Sequence, residues 1–435
     1  MQRLKLKQWR RTLQVAVLLL MLLGAGTLGR YFYFPSSPAL PLPDKPSIAV
    51  LPFVNMSGDP EQEYSSDGIT EDLTSDLSKI SSLFVIARNS AFTYKGKAAK
   101  VQEVSKELGV RYVLEGSVRK ADNQVRVTAQ LIDATTGYHL WTERYDRPLQ
   151  DIFALQDEIV QEIVTTLKLQ LTLWEQGFLV RKATDNVEAY DYLLRGFEYF
   201  LRLTKETNVQ ARQMFEKAIE LDPQYAAAYL GVGWTYWLDW FWQWNQDAHT
   251  PERVFTLAQK ALALDDSLPM AHRLLSLVYL FQKQHEQGIA EAERAIALDP
   301  NSAEGYIALA SILNYMGRSE ESIGLVEKAM RLNPRYPGFY SNEVGFAYLL
   351  TGRYEEAIAA LKKALGRTPN FLPIHANLAV VYSELGREEE AHAEVAEILR
   401  IGLNFSLEHV RQGAPFKDPA VTERYLAALR KAGLK

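Results

Sequence analysis

The sequence predicts an α/β domain with a mixed sheet, followed by an all-α solenoid of helical hairpins and preceded by one N-terminal transmembrane helix. Three observations predict it. An apolar run follows a basic N-terminus, strand-like runs alternate with amphipathic helical segments from Ser47 onward, and Pro300, Pro334 and Pro369 recur at spacings of 34 and 35 residues. At 435 residues, 47% of them hydrophobic and 23% charged, the chain can bury more than one core. Its net charge of -5 gives no global electrostatic reason to bind nucleic acid, and no such partner is expected. The absence of cysteine excludes a disulfide framework, thiolate zinc sites and a cysteine nucleophile.

Arg3, Lys5, Lys7, Arg10 and Arg11 precede an apolar run from Leu13 to Leu28 that is broken early only by Gln14. Thr12 and the Tyr31-Phe32-Tyr33-Phe34 cluster extend the run to the length of a bilayer core, with Arg30 able to snorkel toward head groups. Residues 1–11 then form a cytoplasmic basic tail and residues 12–34 a membrane anchor, with everything after Phe34 outside. A cleaved secretory signal is the competing account, since Gly24-Ala25-Gly26 offers small residues for a peptidase. The aromatic cluster, which suits an interfacial belt, favours the anchor. Pro35, Pro38, Pro41, Pro43 and Pro46 make residues 35–46 a stiff spacer.

The α/β domain is expected over residues 47–175. Ile48 to Phe53 is continuously apolar, as a strand buried on both faces and central in its sheet would be. Ile69, Leu73, Leu77 and Ile80 keep helical spacing, and Leu83 to Ala87 is a second apolar strand, so a parallel pair with a crossover helix is expected. A second helix, around Ala98 to Leu108, should close at Gly109. Strands over Tyr112 to Lys120, Val125 to Ile132 and Tyr138 to Tyr145 are separated by turns of hairpin length. Val125, Val127, Ala129 and Leu131 alternate with Arg126, Thr128 and Gln130, which gives one buried and one wet face. A helix from about Asp151 to Leu173 should close the domain.

Residues 186–402 carry about six repeats of tetratricopeptide (TPR) length. Gly317-Arg318, Gly352-Arg353 and Gly386-Arg387 mark turns between the paired helices, and Ala295, Ala329 and Ala364 are small residues of the second helices. The unit ending at Pro223 has a turn about three residues too long, and the next carries roughly nine extra residues around Trp240 to Pro251. Residues 403–435 are expected to cap the end of the stack.

Three strings carry a family resemblance: Pro46 to Phe53, then Asp67-Gly68-Ile69-Thr70-Glu71-Asp72-Leu73, then Arg111 to Val118. They resemble the TolB-like (FlgO-like) amino-terminal domain. With the repeats, the chain from Pro46 onward looks like the C-terminal portion of bacterial class III adenylate/guanylate cyclase-associated TPR proteins. In such proteins a cyclase or a winged-helix DNA-binding domain commonly precedes a membrane segment; only about a dozen residues precede it here, so neither is expected in this chain. The resemblance implies a single-pass protein of the bacterial inner membrane with its bulk in the periplasm.

A TPR stack leaves a concave groove, which should be lined by Arg273, Tyr306, Asn342 and Asn377 and should take a protein or peptide partner. The asparagine amides could bond a ligand backbone, or could be ordinary solvated polar residues. Trp240, Trp242 and Trp244 fall in the extra loop, where they serve either packing or an exposed aromatic patch for a partner. Asp67, Glu71, Asp72 and Asp76 suggest an acidic helix start complementing the helix dipole. No phosphate-binding loop, nucleophile elbow, dinucleotide fingerprint or His-Glu-x-x-His occurs, so no catalytic residue, cofactor or metal is expected, and the chain is expected not to be an enzyme.

Overall fold

The computed structural model describes residues 39–172, 175–176, 183–245, 247, 249–402 and 405–435. The expected basic tail and membrane anchor, residues 1–11 and 12–34, lie outside these. Among the described residues no helix is long and apolar enough to cross a membrane.

The sheet starts at β1 (Ser47–Val50), buried throughout, and continues with the short β2 (Val54–Asn55). A 3-10 turn over Pro60–Gln62, capped by the Asp59 carboxylate, feeds α1 (Glu63–Ser78). Then come β3 (Phe84–Val85), α2 (Arg88–Ala91) and α3 (Val101–Leu108), the last closed by Gly109 in the left-handed region at φ +64°. β4 (Tyr112–Ala121), β5 (Gln124–Asp133) and β6 (Tyr138–Pro148) form an antiparallel meander, and α4 (Ile152–Thr166) follows. Strand order is β3-β1-β4-β5-β6, with β2 also on β4, and β1 runs parallel to both its neighbours. The first apolar strand is thus internal, as its two-sided hydrophobicity demands. Val125, Val127, Ala129 and Leu131 share one core with α1 and α4, while Ala49 and Val113 pack on α3 from the other face.

Two helix limits differ from expectation for local reasons. α1 begins at Glu63, ahead of the periodic apolar residues, because the 3-10 turn that Asp59 caps and Pro60 starts runs directly into it. α4 stops at Thr166 instead of running to Leu173, since Lys168 takes φ +52° and returns Leu169 and Leu171 to the core.

Among the described residues after 186, twelve helices then pack as six successive hairpins. They are α5 (Val187–Phe200) with α6 (Lys205–Leu221), α7 (Ala226–Phe241) with α8 (Thr250–Leu264), and α9 (Pro269–Phe281) with α10 (His285–Leu298). α11 (Ala303–Tyr315) pairs with α12 (Ser319–Leu332), α13 (Gly338–Leu350) with α14 (Tyr354–Leu365), and α15 (Leu372–Glu384) with α16 (Glu388–Ile401). The short α17 (Leu407–Gly413) and α18 (Pro419–Lys431) follow.

Gly317, Gly352 and Gly386 all adopt positive φ at the intrahairpin turns, where a side chain would be strained. Lys283 holds the same conformation at φ +60° with no glycine to ease it. At the first hairpin, Gly196 and Gly231 press on the two faces of Phe215, and a Cβ on either would lie 2.4 or 2.7 Å from that ring. A further link recurs near the start of the first helix of several repeats. The side chains of Tyr229, His272, Tyr306 and His375 each bond the carbonyl six residues earlier, at 3.2, 3.2, 3.1 and 2.9 Å. Each such bond ties a first helix to the turn that delivers it.

Candidate functional site

The first helices of the repeats do present the expected groove residues, but the structure gives most of them partners within the chain. Tyr306 is 5% exposed, donates to the Pro300 carbonyl and carries the Lys328 ammonium over its ring at 4.2 Å. It fixes a turn. Arg273 lies over the Trp234 ring at 4.5 Å, and burial lowers its pKa against the pull of Glu304. Asn377 donates to Asn342 Oδ1 at 3.0 Å and accepts from the Tyr425 hydroxyl at 2.8 Å. Both amides are buried, so they are neither solvated nor open to an incoming backbone.

The occupant is the segment after the last repeat. It turns back across the first helices instead of merely extending the stack. Phe416, 6% exposed, sits among Tyr315, Phe346 and Tyr425 with ring centroids 5.0, 6.0 and 5.7 Å away. His285 Nε2 lies 2.7 Å from the Pro415 carbonyl, and the Lys417 N–H donates to the Tyr315 carbonyl at 3.0 Å. Lys417 Nζ pairs with Glu286 at 2.6 Å. α18 then lies on α15, with Lys431 donating to the Ser383 carbonyl at 3.1 Å.

Of the three loop tryptophans, Trp240 belongs to α7, where helix geometry sets it on Trp237 at 5.2 Å and against Phe281 at 4.9 Å. It is packing. Trp242 remains 38% exposed, beside Phe371 at 5.6 Å and stacked with Trp244 at 6.4 Å. Phe241 at the end of α7 is 37% exposed, so the open aromatic surface of this stretch is Phe241 with Trp242.

The acidic residues of α1 lie in its body, not at its start, so they do not serve the helix dipole as expected. Asp67 meets Lys95 at 2.5 Å and Glu71 meets Arg88 at 2.5 Å. Asp72 accepts from Gln156 and from the Tyr190 hydroxyl of α5. Burial pushes Glu71 up to about 7 against the Arg88 charge, and Asp72 up to about 6 despite those hydrogen bonds. These carboxylates stand where the α/β domain meets the solenoid.

Sequence reasoning did not anticipate that junction. Asn301, 3% exposed in the turn before α11, accepts from the Val85 N–H at 3.2 Å and donates to the Ser78 and Leu83 carbonyls at 2.8 and 3.1 Å. Asn333, in the turn before α13, accepts from Ser90 Oγ at 2.6 Å. Arg331 donates to the Leu108 and Gly109 carbonyls, and the Ala87 N–H donates to the Leu332 carbonyl at 2.9 Å. Tyr64 bonds Asp191 at 2.6 Å, and a Cβ on Gly68 would meet Leu194 at 2.5 Å. Little in the sequence signals it, since Asn333 fills the pre-proline position that Asp222 and Asp299 hold in other repeats and Asn301 is an ordinary turn residue after Pro300.

Comparison with known proteins agrees with the repeat geometry. Residues 274–302, 307–371 and 348–406 match tetratricopeptide-repeat profiles, so this part of the chain is TPR. Residues 44–162 match the second domain of HilA/YgeH-like transcriptional regulators, and the TolB-like resemblance of that segment rests on its motif strings alone. A Rhizobium meliloti (strain 1021) protein named "Putative adenylate cyclase 3" is 49% identical over 255 residues, which are 58% of this chain and 43% of that protein. The chain thus matches less than half of that relative's length. Among solved structures, a thermophilic TPR protein of Thermus thermophilus is 24% identical, with a TM-score of 0.37 over 47% of this chain and 99% of that one. Pseudomonas aeruginosa pilF is 18% identical, with a TM-score of 0.38 over 50% of this chain and 93% of that one.

Proposed function

We propose that this chain is a non-catalytic interaction scaffold that holds protein or peptide partners on its TPR solenoid, tethered to the outer side of a bacterial cytoplasmic membrane by residues 12–34. The observation that carries the binding role is the stack of six helical hairpins with its matches to TPR profiles. Such stacks bury a continuous core and present long surfaces to partners. The tether is supported by the basic-then-apolar N-terminus. Affinity purification of the full chain from membranes tests the role. Partners retained by the wild type should be lost from a chain with Trp242→Ala and Glu286→Ala, and identical sets would refute recognition by that face of the solenoid. Tags at the two ends, probed in intact cells, should be accessible only at the C-terminal one.

A second role is favoured by the comparisons: the chain would be the regulatory portion of a split cyclic-nucleotide or transcriptional signalling system. Its supports are the relative named for adenylate cyclase and the regulator-type profile over residues 44–162. Co-purification of a cyclase or a transcription factor separates the two roles. The TolB-like assignment of the α/β domain, carried by its three motif strings, belongs with this proposal.

A further inference from the structure

The segment from Ala414 to Asp418 is held as a bound peptide would be held. Its ends are extended, with Ala414 at φ -71°, ψ 122° and Asp418 at φ -93°, ψ 116°. Two of its main-chain groups are read by the solenoid, the Pro415 carbonyl by His285 Nε2 and the Lys417 N–H by the Tyr315 carbonyl. One side chain fills an aromatic pocket and the next meets a carboxylate. Main-chain bonds combined with side-chain pockets are how a groove recognises an extended peptide. An end cap needs only apolar cover on the last repeat. Here the segment reaches back past α13 to α10 and α11, and the receiving side chain His285 is 3% exposed and aimed at a main-chain oxygen.

From this geometry we infer that the surface formed by His285, Glu286, Tyr315 and Phe346 is a binding site for linear protein segments of the pattern proline, aromatic, basic. Pro415-Phe416-Lys417 is its built-in occupant, which a partner segment displaces. The inference rests on the scaffold role and names its partner chemistry. The pocket accepts an aromatic ring edge-on to Tyr315 at 65°. Glu286 makes the next position selective for a cation, and its pair with Lys417 is half-exposed on the lysine side, so it gives selectivity with little strength. While the segment is seated, an external peptide sees only the fraction of molecules in which it has lifted, so its apparent affinity falls by that fraction.

The test uses the full chain and a fluorescein-labelled peptide of residues Gln412 to Pro419, read by anisotropy. Phe416→Ala should vacate the site and tighten peptide binding by about tenfold or more relative to wild type. A peptide with alanine in place of its phenylalanine should not bind. With the site already vacated by Phe416→Ala, adding Glu286→Lys should weaken binding several-fold, and a peptide with glutamate in place of its lysine should recover it. Lys417→Glu, at a solvent-facing pair, is a second route to opening the site and should also tighten binding while leaving the circular dichroism spectrum unchanged. If neither Phe416→Ala nor Lys417→Glu binds the peptide better than wild type, the segment is a permanent cap and the inference fails. Partners recovered with the wild-type chain would still support the scaffold role in that case, because they would then occupy another face.

Discussion

At the scale of single residues, backbone strain separates the repeats. Glycine fills the left-handed turn position in three hairpins, and Lys283 occupies it in the hairpin of α9 and α10. An L-residue in that region costs about 1–2 kcal/mol. Lys283→Gly should therefore raise stability by about 1 kcal/mol, and Gly352→Ala, at φ +76°, should lower it by a similar amount. Thermal unfolding of the two variants beside wild type checks the pair of signs, and a Lys283→Gly chain that melts lower would contradict the strain account. These turn glycines were legible in the sequence because their cause is local. Asn342 and Asn377 were legible as first-helix residues but not in their use, since Tyr425, which bonds Asn377, lies 48 residues further on. Trp240 was misplaced because an inserted loop and an extended helix read alike until packing on Phe281 is seen.

At the scale of elements, α1 is the piece whose chemistry depends most on pH. Glu71 is raised to about 7 by burial, with Arg88 opposing and Asp72, Glu304 and Asp67 reinforcing the rise. Asp299, in the turn before α11, is raised to about 6 by burial against hydrogen bonds from Ser78 and the Asn301 N–H. A carboxyl whose folded pKa exceeds its unfolded one binds its proton more tightly when folded, so stability falls as pH rises from the unfolded pKa to the folded one and the cost is complete above it; between pH 6 and 8 the loss comes mainly from Glu71. His375 points the same way. Its two ring nitrogens face the Glu394 carboxylate at 2.6 Å and the Pro369 carbonyl, which together raise its pKa although burial lowers it. That stabilisation is full below the unfolded histidine value and is lost as pH rises through the folded one. The melting temperature should thus be higher at pH 6 than at pH 8. Glu71→Gln and His375→Gln should each flatten this dependence, and a wild-type chain most stable at pH 8 would show that other groups dominate.

At the scale of the whole molecule, residues 42–435 form one compact unit, and the reason lies at the edge of the sheet. β3 is an edge strand of only two residues, whose outward N–H groups have no neighbouring strand to pair with in the sheet. The solenoid covers it: Asn301 accepts from the Val85 N–H, the Leu332 carbonyl accepts from the Ala87 N–H, and Asn333 holds Ser90. Two turns that the repeats need only as connectors therefore complete the hydrogen bonding of another domain. Domains joined by a polar interface usually move independently, but these bonds are buried, so releasing one leaves an unsatisfied group that costs about 1–3 kcal/mol. Five of the eight tryptophans lie between Trp234 and Trp244, so fluorescence reports mainly on the solenoid while far-ultraviolet dichroism reports on both parts. In urea the two signals should change together for the wild type, as one cooperative transition. Asn301→Ala combined with Asn333→Ala removes both asparagine clasps, each worth about 1–3 kcal/mol. The two signals should then separate, and exchange of the Val85 amide should accelerate. Coincident transitions in the double variant would mean that the contacts left intact, Arg331 with the Leu108 and Gly109 carbonyls, the Ala87–Leu332 backbone bond, and α1 against α5 through Asp72 with Tyr190 and Tyr64 with Asp191, hold the two parts together without the asparagines.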